Sequence, residues 1–118
     1  MLIYKEFRFE AAHLLPNAPE GHKCRRLHGH SFVVGIHVAG SVDDQAGWVM
    51  DFGDMTDLFA PLYERLDHRY LNEIEGLENP TSENISIWIW RKLKPQLAAL
   101  VKVEVKETCT SGCVYEGD

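Results

Sequence analysis

The sequence predicts an α+β domain in which two helices lie on one face of a four-stranded antiparallel sheet. Two patterns predict this fold class: apolar and polar residues alternate near both ends of the chain, and apolar residues recur at helical spacing in the middle. The expected order of elements is β-β-β-α-α-β. The 118 residues have the length of one domain, which we expect to span 1–118.

Alternation with a period of two indicates the strands. We expect the first over residues 2–14, the second from near His28, the third at "WVMDF" (48–52) after a glycine-bounded turn, and the last at "LVKVEVKETC" (100–109). The apolar residues that share one face of the first two strands are Ile3, Phe7, Phe9, Ala11, Phe32, Val34, Ile36 and Val38. Since His13 continues the first series, it is expected on the same face.

Capping residues and helical spacing indicate the two helices. The first is expected to begin near Asp51 or Asp54, and Pro61 should kink it unless it lies in the first turn. The second opens at "NPTSEN", with Thr81 or Ser82 as the cap. The apolar faces are expected to contain Met55, Leu58, Phe59, Leu62 and Leu66 in the first helix, and Ile85, Trp88, Ile89 and Leu93 in the second.

Composition excludes some classes of function. The net charge of −6 provides no overall basic field, which argues against a general nucleic-acid or anionic-membrane binder. No signal-peptide core is visible, and no apolar run approaches the roughly 20 residues that cross a bilayer, so we expect a cytoplasmic protein. Three cysteines are an odd number, and we interpret Cys109 and Cys113 as small structural residues of a reduced protein.

Three histidines form a candidate metal site. His28 and His30 point to the same side of a strand, and Gly29 between them permits a close approach. If the first two strands pair antiparallel, His13 approaches both. Three imidazoles with one open position are typical of catalytic zinc. A chance polar pair at the start of a strand is the alternative, and spacing alone leaves it open.

Cys24 lies in the long loop before His28, beside three cations. Nearby cations favour the thiolate, so Cys24 is a candidate base or nucleophile, although a lone loop cysteine is often unremarkable. The cations Lys23, Arg25 and Arg26 either bind phosphate or form a solvated loop face.

Asp67, His68 and Glu107 are further candidates. Adjacent helical residues do not face each other, so Asp67 and His68 can pair only if the chain has left helical geometry. On sequence alone, capping of the helix end is the better interpretation for them. Glu107 follows Val103 and Val105 on one strand face. It either accepts two parallel hydrogen bonds from an N–H fork such as that of a purine or pterin, or lies where the strand has left the core.

Five motifs together resemble the 6-pyruvoyl-tetrahydropterin synthase family: "FEAAH", "CRRLHGHSF", "LDHRYLN", "NPTSEN" and "VKET". They occur in the family's order through nearly the whole chain. The spacing CxxxHGH is similar to the bacterial branch that makes 6-carboxy-5,6,7,8-tetrahydropterin for queuosine biosynthesis. That branch converts 7,8-dihydroneopterin triphosphate with release of acetaldehyde and triphosphate.

The resemblance also implies roles and architecture. His13, His28 and His30 would bind Zn²⁺. Cys24 would be the general base, with His68 and Asp67 as its proton-handling partners. The expected substrate-binding residues are Glu107, which would anchor the pterin, the wall formed by Thr81, Ser82 and Glu83, and the cations Lys23 and Arg26. The implied fold is the tunnelling fold, whose sheets close into a trimeric β-barrel, with two trimers in a homohexamer and active sites shared between chains.

Three other functions remain possible at this point. The first is the same fold and metal with a 6-pyruvoyl product. The second is a non-catalytic zinc-binding module with a fourth protein ligand. The third is a zinc hydrolase that uses metal-bound water and tolerates the loss of Cys24.

Overall fold

A computed structural model describes residues 1–117 and has an α+β architecture with two α-helices and a five-stranded sheet. The order of strands across the sheet is β3-β1-β2-β4-β5. The strands are β1 (Leu2–His13), β2 (His28–Ala39), β3 (Arg69–Tyr70), β4 (Leu100–Thr108) and β5 (Ser111–Tyr115), and the helices are α1 (Phe52–Leu66) and α2 (Ser82–Leu93).

The antiparallel pair of β1 and β2 forms the centre of the sheet. Its register runs from Leu2 opposite Ala39 to His13 opposite His28. β4 pairs antiparallel with β2, and β5 returns as a hairpin along β4. β3 pairs parallel with the outer edge of β1, but only at Ala11 and Ala12. The long central ladder therefore brings the end of β1 and the start of β2 to the same corner of the sheet.

Both helices are capped as the sequence predicts. Asp51 Oδ1 accepts a hydrogen bond from the Gly53 N–H at 2.8 Å, and Thr81 Oγ1 accepts one from the Asn84 N–H at 3.0 Å. α1 continues through Pro61 to Leu66. The predicted apolar faces are buried, apart from a half-buried Leu58. They pack with the inner face of β1, β2 and β4 in one hydrophobic core.

Three features of the predicted sheet are wrong. Residues 48–50 form a bend and not a strand, because the chain turns there into α1, which Asp51 caps. Two strands not predicted are present, namely β3 and β5. The sheet is accordingly five-stranded and mixed, not four-stranded and antiparallel, and the order of elements is β-β-α-β-α-β-β.

Two smaller observations complete the fold. All three cysteines are free; Cys109 is exposed, whereas Cys113 packs partly buried against the core, and burial raises the pKa of its thiol.

Among residues 1–117, neither helix combines the length and the hydropathy that a membrane span requires.

Candidate metal centre and active site

Strand pairing assembles the three histidines. His13 is the last residue of β1 and lies opposite His28, the first residue of β2, while His30 lies opposite Ala11. One ring nitrogen from each histidine lies within 4.8 Å of the others. The ring centroids are 4.5 Å apart for His13 and His28, 4.9 Å for His28 and His30, and 5.1 Å for His13 and His30. The predicted cluster is therefore present.

Backbone carbonyls set the tautomers of two of these rings. Nδ1 of His13 lies 2.8 Å from the carbonyl oxygen of Pro80, and Nδ1 of His28 lies 2.7 Å from that of Arg26. A carbonyl only accepts, so each Nδ1 carries the proton and each Nε2 keeps its lone pair. A metal-binding histidine commonly has its other nitrogen held in this way.

The remaining ring nitrogens fit a metal ion. Nε2 of His13 and Nε2 of His30 are buried and have no hydrogen-bond partner within residues 1–117. A buried polar atom without a partner is costly, and a cation at the centre of the cluster would satisfy both. Three neutral imidazole nitrogens are a donor set that suits Zn²⁺.

Burial favours the neutral form of two of these imidazoles. It lowers the pKa of His13 and of His30 from the ordinary value of 6.5, and nearby Glu107 opposes the shift only in part. Glu107 Oε1 lies 3.5 Å from Nε2 of His13 and 3.8 Å from Nε2 of His30. Neutral rings are the metal-binding form, so the electrostatics agree with the geometry.

Asp67 and His68 form a hydrogen-bonded pair at the end of α1. Asp67 has extended backbone angles, and His68 has a φ of 58°, so the chain has left helical geometry, which is the condition for pairing. His68 Nδ1 lies 2.9 Å from Asp67 Oδ2. The capping interpretation is thus incomplete, because the turn at the helix end also brings the two side chains together.

The edge of β1 holds this pair in place. The Glu10 N–H donates to Asp67 Oδ1 at 3.0 Å, and the His68 N–H donates to the Glu10 carbonyl at 2.6 Å. The hydrogen bond from Glu10 is the main cause that lowers the pKa of Asp67, followed by the one from His68. An ionised Asp67 then holds His68 Nδ1 as a donor, and the His68 side chain is exposed.

A cavity of about 610 Å³ brings His68 and His30 to one site. Its lining residues are Glu10, Ala11, Ala12, Gly29, His30, Ser31, His68, Arg69 and Tyr70. Cys24 does not line this cavity in the single chain. Of the predicted catalytic residues, His68 lines this cavity together with His30, whereas Asp67 and Cys24 do not.

Cys24 lies in a short 3₁₀ helix, Lys23–Arg25, within the long loop. Its N–H donates to His22 Nδ1 at 3.1 Å, and its carbonyl accepts from the Leu15 N–H at 2.7 Å. The Arg25 guanidinium donates to the Ala18 carbonyl at 3.1 Å. Arg25 therefore braces the loop, whereas the side chains of Lys23 and Arg26 are exposed.

The predicted wall residues lie at the start of α2. Thr81 caps the helix, and the Glu83 carbonyl accepts a hydrogen bond from Ser86 Oγ at 2.7 Å. These wall residues follow Pro80 in the chain, and the Pro80 carbonyl contacts His13. The carbonyls of Pro80 and Arg26 are the groups that sequence reasoning missed. Every residue type has a carbonyl, so the only available signal was that both residues lie within predicted site motifs.

Comparisons with known proteins agree with this geometry. The profile of the family described as "6-pyruvoyl tetrahydropterin synthase" matches residues 2–118. The chain is 51% identical over 120 residues to a protein of Synechocystis named 6-carboxy-5,6,7,8-tetrahydropterin synthase, covering 97% of this chain and 92% of the relative. It is 36% identical over 103 residues to a Pyrococcus furiosus protein named dihydroneopterin monophosphate aldolase, covering 87% and 82%.

A solved structure shows the same fold. The structure of Caenorhabditis elegans 6-pyruvoyl tetrahydropterin synthase matches with a TM-score of 0.92 and 28% identity, covering 100% of this chain and 96% of that one. The family profile and the 51% identical relative both span nearly the whole chain. This chain is therefore a member of the 6-pyruvoyl tetrahydropterin synthase family.

Proposed function

We propose that this chain is a zinc-dependent 6-carboxy-5,6,7,8-tetrahydropterin synthase. It converts 7,8-dihydroneopterin triphosphate to 6-carboxy-5,6,7,8-tetrahydropterin, releasing acetaldehyde and triphosphate, as a cytoplasmic step of queuosine biosynthesis. The observation that carries the proposal is the cluster of three histidines, in which the buried Nε2 atoms of His13 and His30 have no hydrogen-bond partner within residues 1–117. The choice of product is supported by the 51% identical relative that bears this enzyme's name.

His13, His28 and His30 hold the metal through Nε2. When bound, Zn²⁺ supplies Lewis acidity toward side-chain oxygens of the substrate. Glu107 anchors the pterin through two parallel hydrogen bonds from its N–H edge to the carboxylate. Its position 3.5 Å from Nε2 of His13 supports this role, because a pterin held by this carboxylate would lie next to the histidines that would hold the metal.

Cys24 removes a carbon-bound proton as the general base, and His68 returns protons. Asp67 orients His68 from 2.9 Å and stabilises its charged form. Thr81, Ser82 and Glu83 close the pterin site beside Pro80. Lys23 and Arg26 bind the triphosphate. Because the chain as a whole is acidic, it needs cations at this position to hold a polyanion.

The active site is completed between chains. Cys24 and His68 do not share a cavity within one chain, although both are needed for the reaction. β1 is unpaired on its outer edge before Ala11, and β5 forms the other edge of the sheet. Pairing of these edges between copies closes a ring and removes the exposed edges. We propose the trimeric β-barrel and a homohexamer on this basis, with a small-molecule pterin as substrate and no nucleic acid or membrane as partner.

A second candidate is the 6-pyruvoyl product, favoured by the fold match to the C. elegans enzyme of that name at a TM-score of 0.92. Product analysis separates the two. Zinc-loaded protein is incubated with 7,8-dihydroneopterin triphosphate, and the pterin is identified by mass while acetaldehyde is assayed. We expect 6-carboxytetrahydropterin and acetaldehyde in equal amounts. A pyruvoyl pterin without acetaldehyde would establish the second candidate, and the absence of any turnover would indicate a non-catalytic zinc-binding module.

A further inference from the structure

Leu14, the residue after the end of β1, lies beyond both neighbouring strands. The pairing of β1 with β2 ends at His13 opposite His28, and its pairing with β3 ends at Ala12 opposite Tyr70. The main-chain groups of Leu14 are nevertheless satisfied by one side chain. The Leu14 N–H donates to Asn72 Oδ1 at 3.0 Å, and Asn72 Nδ2 donates to the Leu14 carbonyl at 2.9 Å.

A carboxamide presents an acceptor oxygen and an N–H donor side by side, as a residue of a neighbouring strand does, and its NH2 group has a second N–H. Asn72 therefore continues the hydrogen-bond ladder of β1 by one residue past the point where β3 stops. It belongs to a short 3₁₀ helix, Leu71–Glu73, directly after β3. The side chain thus takes the place of a strand beside the residue that follows His13.

The same amide reaches the segment that orients His13. Asn72 Nδ2 also lies 3.3 Å from the carbonyl oxygen of Glu78, two residues before Pro80. The Pro80 carbonyl accepts the hydrogen bond from His13 Nδ1 at 2.8 Å, and His13 is fully buried. One side chain therefore joins the main chain next to His13 to the loop that carries the hydrogen-bond partner of His13.

We propose that Asn72 is a positioning residue for the metal ligand His13. It holds the end of β1 and the 78–80 segment at a constant separation, so that the His13–Pro80 hydrogen bond aims Nε2 at the metal position. The inference rests on the proposed metal site. A residue that only stabilises the fold would leave metal affinity and ligand geometry unchanged in the folded protein.

The test compares metal binding in Asn72→Ala, Asn72→Asp and the wild type. Zinc dissociation constants are measured by chelator competition, and the visible absorption of the Co²⁺-substituted protein reports ligand geometry. We expect the zinc Kd of Asn72→Ala to rise about tenfold, at the lower end of the effect of groups that orient metal ligands, with an altered Co²⁺ spectrum. Asn72→Asp keeps an acceptor for the Leu14 N–H but turns a second carboxylate oxygen toward the two carbonyl oxygens and repels them, so its Kd should rise at least as much.

Asn84→Ala is the matched control. Asn84 Nδ2 donates to the Asn79 carbonyl at 2.8 Å, so it braces the same loop without touching Leu14. Its zinc affinity and Co²⁺ spectrum should equal those of the wild type. Wild-type affinity and spectrum in folded Asn72→Asp would overturn the proposal, and this variant decides the question if Asn72→Ala does not fold. A wild-type protein that fails to bind zinc would instead overturn the proposed function, and this inference with it.

Discussion

The Glu107 carboxylate lies 3.5 Å from Nε2 of His13, so the end of β4 reaches the corner of the sheet where β1 ends. Val103 and Val105, earlier on the same strand face, are fully buried. Because side chains alternate between the two faces of a strand, the side chain of Glu107 also lies on the inner side of the sheet. Glu107 therefore has not left the core side of the sheet, and its role in binding a pterin stays a prediction. A negative charge beside neutral imidazoles favours a cation between them.

The first prediction concerns the metal. Wild-type protein should contain about one zinc per chain with three nitrogen ligands, and His28→Ala should lose zinc and activity together, because two imidazoles seldom retain zinc. Metal content by atomic emission and zinc X-ray absorption check this. His37→Gln is the control: it changes a histidine of the same strand whose ring stacks on Tyr4, away from the cluster, and should keep its zinc. Full activity of rigorously metal-free protein would contradict the prediction.

The second prediction concerns Cys24. Cys24→Ala should retain zinc and the fold while turnover falls by roughly two to four orders of magnitude, the usual contribution of acid–base catalysis. Steady-state kinetics and metal analysis on the same preparation provide the measurement. Cys109→Ala, which changes an exposed cysteine, should turn over as the wild type does. Near-normal turnover of Cys24→Ala would indicate that another group is the base, and His68 would be tested next.

Local patterns predict most of the fold because they report which face of an element is buried. The series Phe9, Ala11 and His13 is buried as the alternation in β1 indicates. Asp51 and Thr81 cap their helices because a short polar side chain satisfies the free N–H groups of the first turn. These features depend on neighbours in the chain, which a single sequence displays.

The missed features depend on partners far along the chain. Arg69 and Tyr70 form a strand only because the edge of β1 is free at Ala11 and Ala12, and two residues have no detectable period. The segment 48–52 has the composition of a strand, but it leads directly into α1, which Asp51 caps. In the metal site, side chains of the right chemistry were predictable, whereas the carbonyls that orient them were not.

The third prediction concerns the substrate's triphosphate. Arg25 donates to the Ala18 carbonyl, so removing it would disturb the loop as well as the charge. The informative variant is Lys23→Gln with Arg26→Gln. It should raise KM severalfold or more with a smaller effect on kcat, and added salt should weaken substrate binding to the wild type more than to the variant. Initial rates over a range of NaCl check this. Equal KM values would indicate that the phosphate-binding cations lie elsewhere.

The fourth prediction concerns pH and His37. Burial is the main cause that lowers the pKa of His37 below 6.5, while Glu104 and Glu6 raise it and Lys102 lowers it further. The unfolded chain therefore binds a proton at a higher pH than the folded protein does. The resulting stability is fully present above pH 6.5 and falls as the pH drops through that value toward the folded pKa.

Urea unfolding of metal-free wild type and His37→Gln between pH 5 and pH 8 measures this contribution. The free energy of unfolding of the wild type should decrease more steeply below pH 6.5 than that of the variant. Taking the difference between the two proteins cancels the contributions of His13 and His30, which both retain. Parallel pH profiles would show that His37 titrates equally in the folded and unfolded states.

The last prediction follows from where Cys24 and His68 lie. In one chain the cavity that His68 lines contains His30 but not Cys24, which agrees with the proposed completion of the site by a second copy. Cys24→Ala and His68→Ala should each be nearly inactive as homo-oligomers. After mixing in equal amounts and subunit exchange, activity should recover to roughly a quarter of the wild-type value, since random assortment at a head-to-tail interface pairs two intact residues at that frequency. Exchange is verified by native mass spectrometry with one variant isotopically labelled, and a mixture of Cys24→Ala with labelled Cys24→Ala controls for the handling. If exchange is complete and no activity returns, each site is built within one chain.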